Sequence, residues 1–176
     1  MKNFVLDDEL LLSLVIPVYN EQEAIKLFID SVTNIFRNQP LINLEFCFVN
    51  DGSTDDTLKE LLQHQKVDMR IRIVDLSRNF GKEAALSAGL HIANGEIIVP
   101  IDVDLQDPPE LILEMIEKWL QGYDVVLARR IDRKSDTWVK RTLANMFYRI
   151  HNAISNPKIP NNVGDFRLMD KRVVEE

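Results

Sequence analysis

The sequence predicts an α/β domain built on a doubly wound, mostly parallel sheet flanked by helices, Rossmann-like in layout. Three observations predict it. Short apolar runs alternate with stretches of helical periodicity from residue 12 to residue 128. One run, Ile97-Ile98-Val99, is continuously apolar, as suits a parallel strand covered on both faces. Polar, turn-forming clusters follow the first, second and fourth runs, where open α/β sheets bind ligands.

Leu12–Val18 reads as the first strand, ended by Pro17 and the Asn20-Glu21 turn. Apolar residues at 25, 28, 29, 32, 35 and 36 then form one helical stripe, and Asn20 with Glu23 has the spacing of a capping box. Leu44–Val49 is a second strand, turned by Asp51-Gly52-Ser53-Thr54 into a helix carrying Leu58, Leu61 and Leu62. Ile71–Leu76 is a third. The helix from Gly81 to Ile92 is rich in small residues, Ala84, Ala85, Ala88 and Gly89, suited to close packing. Glu96–Ile101 is the fourth strand, Pro108–Gln121 a helix stopped by Gly122, and Val125–Ala128 the fifth strand. The βαβα order argues for the doubly wound sheet.

At 176 residues the chain holds one sizeable core, so residues 1–176 read as a single domain. With 45% hydrophobic and 28% charged residues it is of the soluble globular class. Cys47 lies in an apolar run and reads as core rather than nucleophile, with no disulfide framework, as in a reducing compartment. The sequence shows no signal peptide and no apolar run long enough to span a bilayer. The net charge of −7 is uneven: residues 1–126 carry −12 and residues 127–172 carry +7. A basic quarter on an acidic protein suits phosphates or an anionic membrane, or is a solvated helix face. It lacks the aromatic platform of single-strand binders, which argues against nucleic acid. Without Gly-x-Gly-x-x-Gly or a Walker loop, a dinucleotide dehydrogenase and a P-loop enzyme are disfavoured.

The most informative stretch is Pro100 to Pro109. Asp102, Asp104 and Gln106 are two residues apart, so an extended chain would point all three to one side. Three oxygen donors facing one way suit Mg²⁺ or Mn²⁺, which can hold a diphosphate. The plainer alternative is a solvated acidic loop before the helix that begins near Pro108.

Five motifs in order carry a resemblance between about residues 12 and 172. Val15-Ile16-Pro17-Val18-Tyr19-Asn20-Glu21, Val49-Asn50-Asp51-Gly52-Ser53-Thr54-Asp55 and Asp102-Val103-Asp104-Leu105-Gln106-Asp107-Pro108-Pro109-Glu110 resemble the inverting family 2 glycosyltransferases. Ser77-Arg78-Asn79-Phe80-Gly81-Lys82 and Gly164-Asp165-Phe166-Arg167-Leu168 narrow the likeness to the polyprenyl-phosphate subgroup, which includes dolichol-phosphate mannose synthases and bactoprenol glucosyltransferases. The resemblance implies a GT-A fold, a nucleotide-sugar donor (UDP-glucose or GDP-mannose type), a divalent cation (Mg²⁺ or Mn²⁺) and a polyprenyl phosphate acceptor. It implies work on the cytoplasmic side of the inner membrane, by a catalytic domain that stops short of the subgroup's transmembrane helices.

Position by position, the resemblance puts Pro17, Tyr19 and Glu21 in the nucleoside pocket and Asp51 on the base or ribose. Asp102, Asp104 and Gln106 would hold the metal, Arg129 a phosphate, and Arg167 the acceptor phosphate. Asn50 departs from the pattern, since many relatives carry a second Asp there, and this leaves base preference open. A phosphate acceptor is already anionic, so positioning by Arg167 and Arg129 matters more than a base; an alcohol acceptor would need one, and Asp165 is the candidate. Otherwise Asp165 orients Arg167 through an ion pair. Residues 136–155 form an amphipathic basic helix, with Trp138, Leu143, Phe147 and Ile150 on its apolar face, fit for a membrane surface or for packing on the sheet. Two other readings stay open: a family 2 transferase acting on a saccharide, and a non-catalytic nucleotide-sugar-binding module.

Overall fold

The computed structural model describes residues 9–129 and 163–176. The predicted α/β architecture is present. Six strands, β1 (Leu10–Val18), β2 (Ile42–Asn50), β3 (Ile71–Asp75), β4 (Ile97–Pro100), β5 (Val125–Arg129) and β6 (Val163–Asp170), form one sheet in the order β3-β2-β1-β4-β6-β5. The β3-β2-β1-β4 portion is parallel. The helices are α1 (Ala24–Phe36), α2 (Thr57–Val67), α3 (Lys82–Ile92), α4 (Leu111–Leu120) and a short α5 (Lys171–Val174).

The strand order reverses between β1 and β4. The right-handed β3–α3–β4 crossover runs back along the sheet and places α3 on the face opposite α1 and α2, whereas α4, which leads from β4 toward β5, packs on the α1 and α2 face. On one face Leu12, Leu14, Ile16, Phe46 and Phe48 pack against α1, α2 and α4 through Phe28, Leu61, Ile112 and Trp119. Phe28 stands edge-on to Phe46 and Phe48, with ring centroids 6.5 and 6.2 Å away. On the other face Val15, Cys47, Ile98 and Met169 meet Leu86 of α3. The small residues of α3 serve close approach: a Cβ on Gly89 would lie 2.4 Å from a Val15 methyl. Cys47 is core, as expected, and burial pushes its thiol up to about 12.

A buried polar knot interrupts the α3 face. Glu45 of β2 accepts hydrogen bonds from the Ser13 hydroxyl, from Arg72 Nη1 at 3.1 Å, and from the Asn94 backbone and side-chain nitrogens at 2.9 and 2.8 Å. Ser13 Oγ in turn accepts from the Gly95 N–H at 2.8 Å. The knot ties three strands to the loop that leads from α3 into β4.

Gly164 to Leu168, assigned no element from the sequence, forms the body of β6, inserted antiparallel between β4 and β5. Two local expectations are corrected. The Asn20–Glu23 capping box does not form: α1 begins without a side-chain cap, because the Asn20 amide oxygen accepts from the Thr54 N–H instead. The fourth helix starts at Leu111, after Pro108 and Pro109 have accepted the first turn's N–H groups with their carbonyls. Gly122 stops it as expected, with φ +110° and its N–H on the Trp119 carbonyl.

Candidate active site

A cavity of about 360 Å³ opens at the carboxyl ends of β1 and β4, where the strand order reverses. Pro17, Val18, Tyr19 and Glu21 line it from the end of β1, Asp51 from β2, Asn79, Gly81, Lys82 and Ala85 from the entry and first turn of α3, and Asp102 to Asp104 from the end of β4. Four sequence motifs therefore share one rim.

The first two motifs hold each other in place. The Asn20 N–H donates to Ser53 Oγ at 2.9 Å and the Glu21 N–H to Thr57 Oγ1 at 2.8 Å. In return Thr54 N–H donates to Asn20 Oδ1 at 2.8 Å and Asp56 N–H to Gln22 Oε1 at 2.9 Å. Asn20 sits at φ +57°, a conformation that Asn tolerates better than most side chains. The turn residues thus lace two loops into one wall and leave Pro17, Tyr19 and Glu21 along the cavity.

Asp51 is buried, and its two oxygens accept the backbone N–H groups of Phe80 and Gly81 at 2.7 and 2.9 Å. It fixes the loop that enters α3 while keeping further acceptor capacity on each oxygen. Gly52 follows at φ +67°, and a Cβ there would come 2.3 Å from the Arg78 carbonyl carbon. Gly52→Ala is therefore expected to destabilise the protein by about 2–4 kcal/mol, combining left-handed strain with overpacking against backbone. A thermal melt checks this. Asn50 donates its amide to Asp75 Oδ1 at 2.7 Å, where an aspartate would set two carboxylates against each other.

Asp102, Asp104 and Gln106 do not lie along an extended strand. β4 ends at Pro100, and Leu105 takes φ +58°, so the chain turns. Asp102 and Asp104 reach the cavity; Gln106 is exposed outside it and gives its backbone N–H to Asp104 Oδ1 at 3.1 Å.

The residue missed from sequence is Lys82, the first of α3. Its ammonium lies 2.8 and 2.9 Å from the two oxygens of Asp102 and 3.1 Å from Asp165 Oδ2. Burial alone would lower its pKa, but the Asp102 and Asp165 carboxylates outweigh that and hold it above the ordinary lysine value. Strand alternation explains the reach of Asp165: Phe166 and Leu168 enter the larger core, so Asp165 and Arg167 point to the α3 face. The expected Asp165–Arg167 ion pair is replaced by Asp165–Lys82. Arg167 Nε is buried with no hydrogen-bond partner among the described residues. Arg129 ends β5, with Val163 as its register partner. The helix expected over 136–155 lies outside the described residues.

Among the described residues no three His, Cys, Asp or Glu side chains are grouped to hold a metal ion. Asp102 and Asp104 nevertheless fit one that is shared with a ligand, since Mg²⁺ is typically held by one or two carboxylates, substrate phosphates and water. The Lys82 ammonium on both oxygens of Asp102 shows that this position attracts a cation.

Comparison with known proteins agrees with this geometry. The model of the family described as glycosyl transferase family 2 matches residues 13–176. The prophage bactoprenol glucosyl transferase homolog of Escherichia coli K12 is 51% identical over 164 residues, which cover 93% of this chain and 53% of that protein. The chain spans about half the length of the curated relatives it matches. A mannosyltransferase of Pyrobaculum calidifontis, solved with GDP-Man and Mn²⁺, superposes with a TM-score of 0.63 at 22% identity, over 96% of this chain and 47% of that one. Glucosyl-3-phosphoglycerate synthase of Mycobacterium tuberculosis, solved with Mn²⁺, UDP-glucose and phosphoglyceric acid, gives 0.65 at 22%, over 93% and 58%. At that identity the likeness speaks for the fold, and the fold is the expected GT-A arrangement.

Proposed function

This chain belongs to glycosyl transferase family 2, and from that premise we propose that it transfers a sugar, with inversion, from a nucleotide-sugar donor to a polyprenyl phosphate at the cytoplasmic face of a membrane. The observation that carries the reading is the single rim on which Asp102, Asp104, Lys82 and Asp165 meet beside the pocket lined by Pro17, Tyr19 and Glu21. The names of the relatives near 50% identity, bactoprenol glucosyl transferases, support the acceptor class. No helix among the described residues is long and apolar enough to cross a membrane.

In this reading Pro17, Tyr19 and Glu21 bound the nucleoside, while Asp51 keeps the Phe80–Gly81 turn where it closes the pocket. Asp102 and Asp104 hold a divalent cation, Mg²⁺ or Mn²⁺, with Gln106 contributing to the same loop. When bound, that cation neutralises the charge that develops on the departing nucleoside diphosphate. Lys82 adds a second positive charge at the same place. Arg129 and Arg167 stand on the strands that flank the far side of the rim and position the anionic acceptor. A phosphate oxygen needs no proton removed, which agrees with Asp165 being engaged by an ammonium. A saccharide hydroxyl would require Asp165 released from Lys82.

The test incubates the full-length protein with Mn²⁺, undecaprenyl phosphate in vesicles and radiolabelled UDP-glucose or GDP-mannose. Label from one donor is expected to enter the organic phase. Label found only in water-soluble saccharides would put the saccharide reading in its place, and donor binding without transfer to any acceptor would leave a binding module.

A further inference from the structure

Lys82 is held by three carboxylate oxygens: both of Asp102, at 2.8 and 2.9 Å, and Oδ2 of Asp165, at 3.1 Å. These come from two segments more than sixty residues apart, one after β4 and the other in β6, and among the described residues the ammonium alone bridges their side chains. Two carboxylates brought together on one rim repel unless a cation lies between them. Lys82 supplies it from the first position of α3, on a flexible four-carbon stem that is 42% exposed. Its backbone is fixed, because Asp51 pins the preceding Gly81 and α3 packs on the sheet. The side chain can pivot about that point without leaving the cavity it lines.

A divalent cation would bind those oxygens at about 2.0–2.2 Å. An ammonium already hydrogen-bonded to both oxygens of Asp102 would stand within a few ångströms of a divalent cation on the same carboxylate, and the two positive charges repel each other. We propose that Lys82 is the resident counter-ion of the site: it occupies the cation position between Asp102 and Asp165 before the donor arrives, and exchanges onto the donor's diphosphate when a divalent cation takes Asp102. This deepens the proposed function and rests on its donor assignment. The exchange makes cation and donor arrive together. Metal alone must displace Lys82 onto Asp165 alone, whereas metal with a diphosphate offers the ammonium a second anionic partner in place of Asp102. Lys82 is a positioning residue in the free protein and a ligand contact in the loaded one.

The experiment measures Mn²⁺ binding by the loss of the free-ion electron paramagnetic resonance signal, without nucleotide, on the full-length wild type, Lys82→Met, Lys82→Gln and Lys82→Arg. Binding of UDP and GDP in saturating Mn²⁺ is followed in parallel by calorimetry. Removing the competing charge is expected to tighten Mn²⁺ binding in the Met and Gln variants roughly tenfold and to weaken the wild type's preferred nucleotide roughly tenfold. Lys82→Arg is expected to keep nucleotide binding near wild type. A mere structural clamp would lower the melting temperature and leave both affinities unchanged, and that result overturns the proposal. Either change without the other overturns it as well. If the wild type binds neither nucleotide with Mn²⁺, the donor assignment itself fails and the exchange falls with it; if it binds one and the variants match it, only the exchange fails.

Discussion

Asp102→Ala is expected to remove metal-dependent donor binding and to lower kcat/KM about 10³-fold. Three functions converge on this carboxylate. It lines the cavity at the end of β4, it is one of two side chains there suited to a hard cation, and it anchors Lys82. On the proposed function, losing it takes away a cation ligand and frees an ammonium that then pairs with Asp165 alone. Losses of about 10²–10³ follow when a single preorganised electrostatic contact to a developing charge is deleted, and here the loss is compound. Asp104→Ala is expected to follow it. Gln106→Ala is expected to cost less than about tenfold, because its backbone N–H rather than its side chain engages Asp104. Steady-state kinetics with a metal titration separates the three. Equal losses at all three positions would mean that the loop rearranges to bring the Gln106 side chain inward.

Glu45→Ala is expected to cost about 3–5 kcal/mol of folding stability, because it strips a buried carboxylate from the Ser13, Arg72 and Asn94 groups built around it. For a chain of this size that is a fall in Tm of about 10 °C. The same knot gives a pH signature. Burial pushes the Glu45 carboxyl up, but the hydrogen bonds from the Asn94 backbone, Ser13, Arg72 and the Asn94 side chain outweigh it, so its pKa lies below the ordinary 4.5. A carboxyl whose folded pKa is depressed adds stability that is fully present above its unfolded pKa and is lost as pH falls through the folded one. Wild type should therefore lose stability below about pH 4.5. Glu45→Gln should start lower at neutral pH and decline less steeply in that acidic window. Parallel denaturant titrations at several pH values test both; equal slopes would remove Glu45 from the acid response.

The parallel half of the sheet was legible because its strands are covered on both faces and so read as plain apolar runs, Leu14-Val15-Ile16 and Ile97-Ile98-Val99 among them. β6 was not, because it alternates: Phe166 and Leu168 enter the larger core while Asp165 and Arg167 turn to the opposite face, in a short run with Gly164 near its start. Its place between β4 and β5 depends on partners far away in sequence. The capping-box spacing at Asn20 and Glu23 was correct and still misled, because a tertiary partner, Thr54, took the oxygen. The predicted fan of Asp102, Asp104 and Gln106 assumed an extended chain, and one left-handed residue, Leu105, undoes it. The rim itself was readable, since the ends of parallel strands must meet there. Lys82 was not, because its significance comes from Asp102 and Asp165, twenty and eighty-three residues away.

The insertion of β6 also sets an order of assembly. β1, β2, β3 and β4 pair with each other through crossovers of ordinary length, so they can join as they emerge during synthesis. Among the described residues β5 follows β4 in sequence but pairs with β6 and with no other strand, and β6 is made more than thirty residues later. Until then, among the described residues, no strand covers the outer edge of β4 or pairs with β5, and Lys82 lacks one of its two acidic partners. The late strand closes the sheet and delivers Asp165 in one step. A nascent chain halted before residue 163 would therefore carry a nearly finished cavity but no completed charge cluster, and the β4 edge would be its point of aggregation.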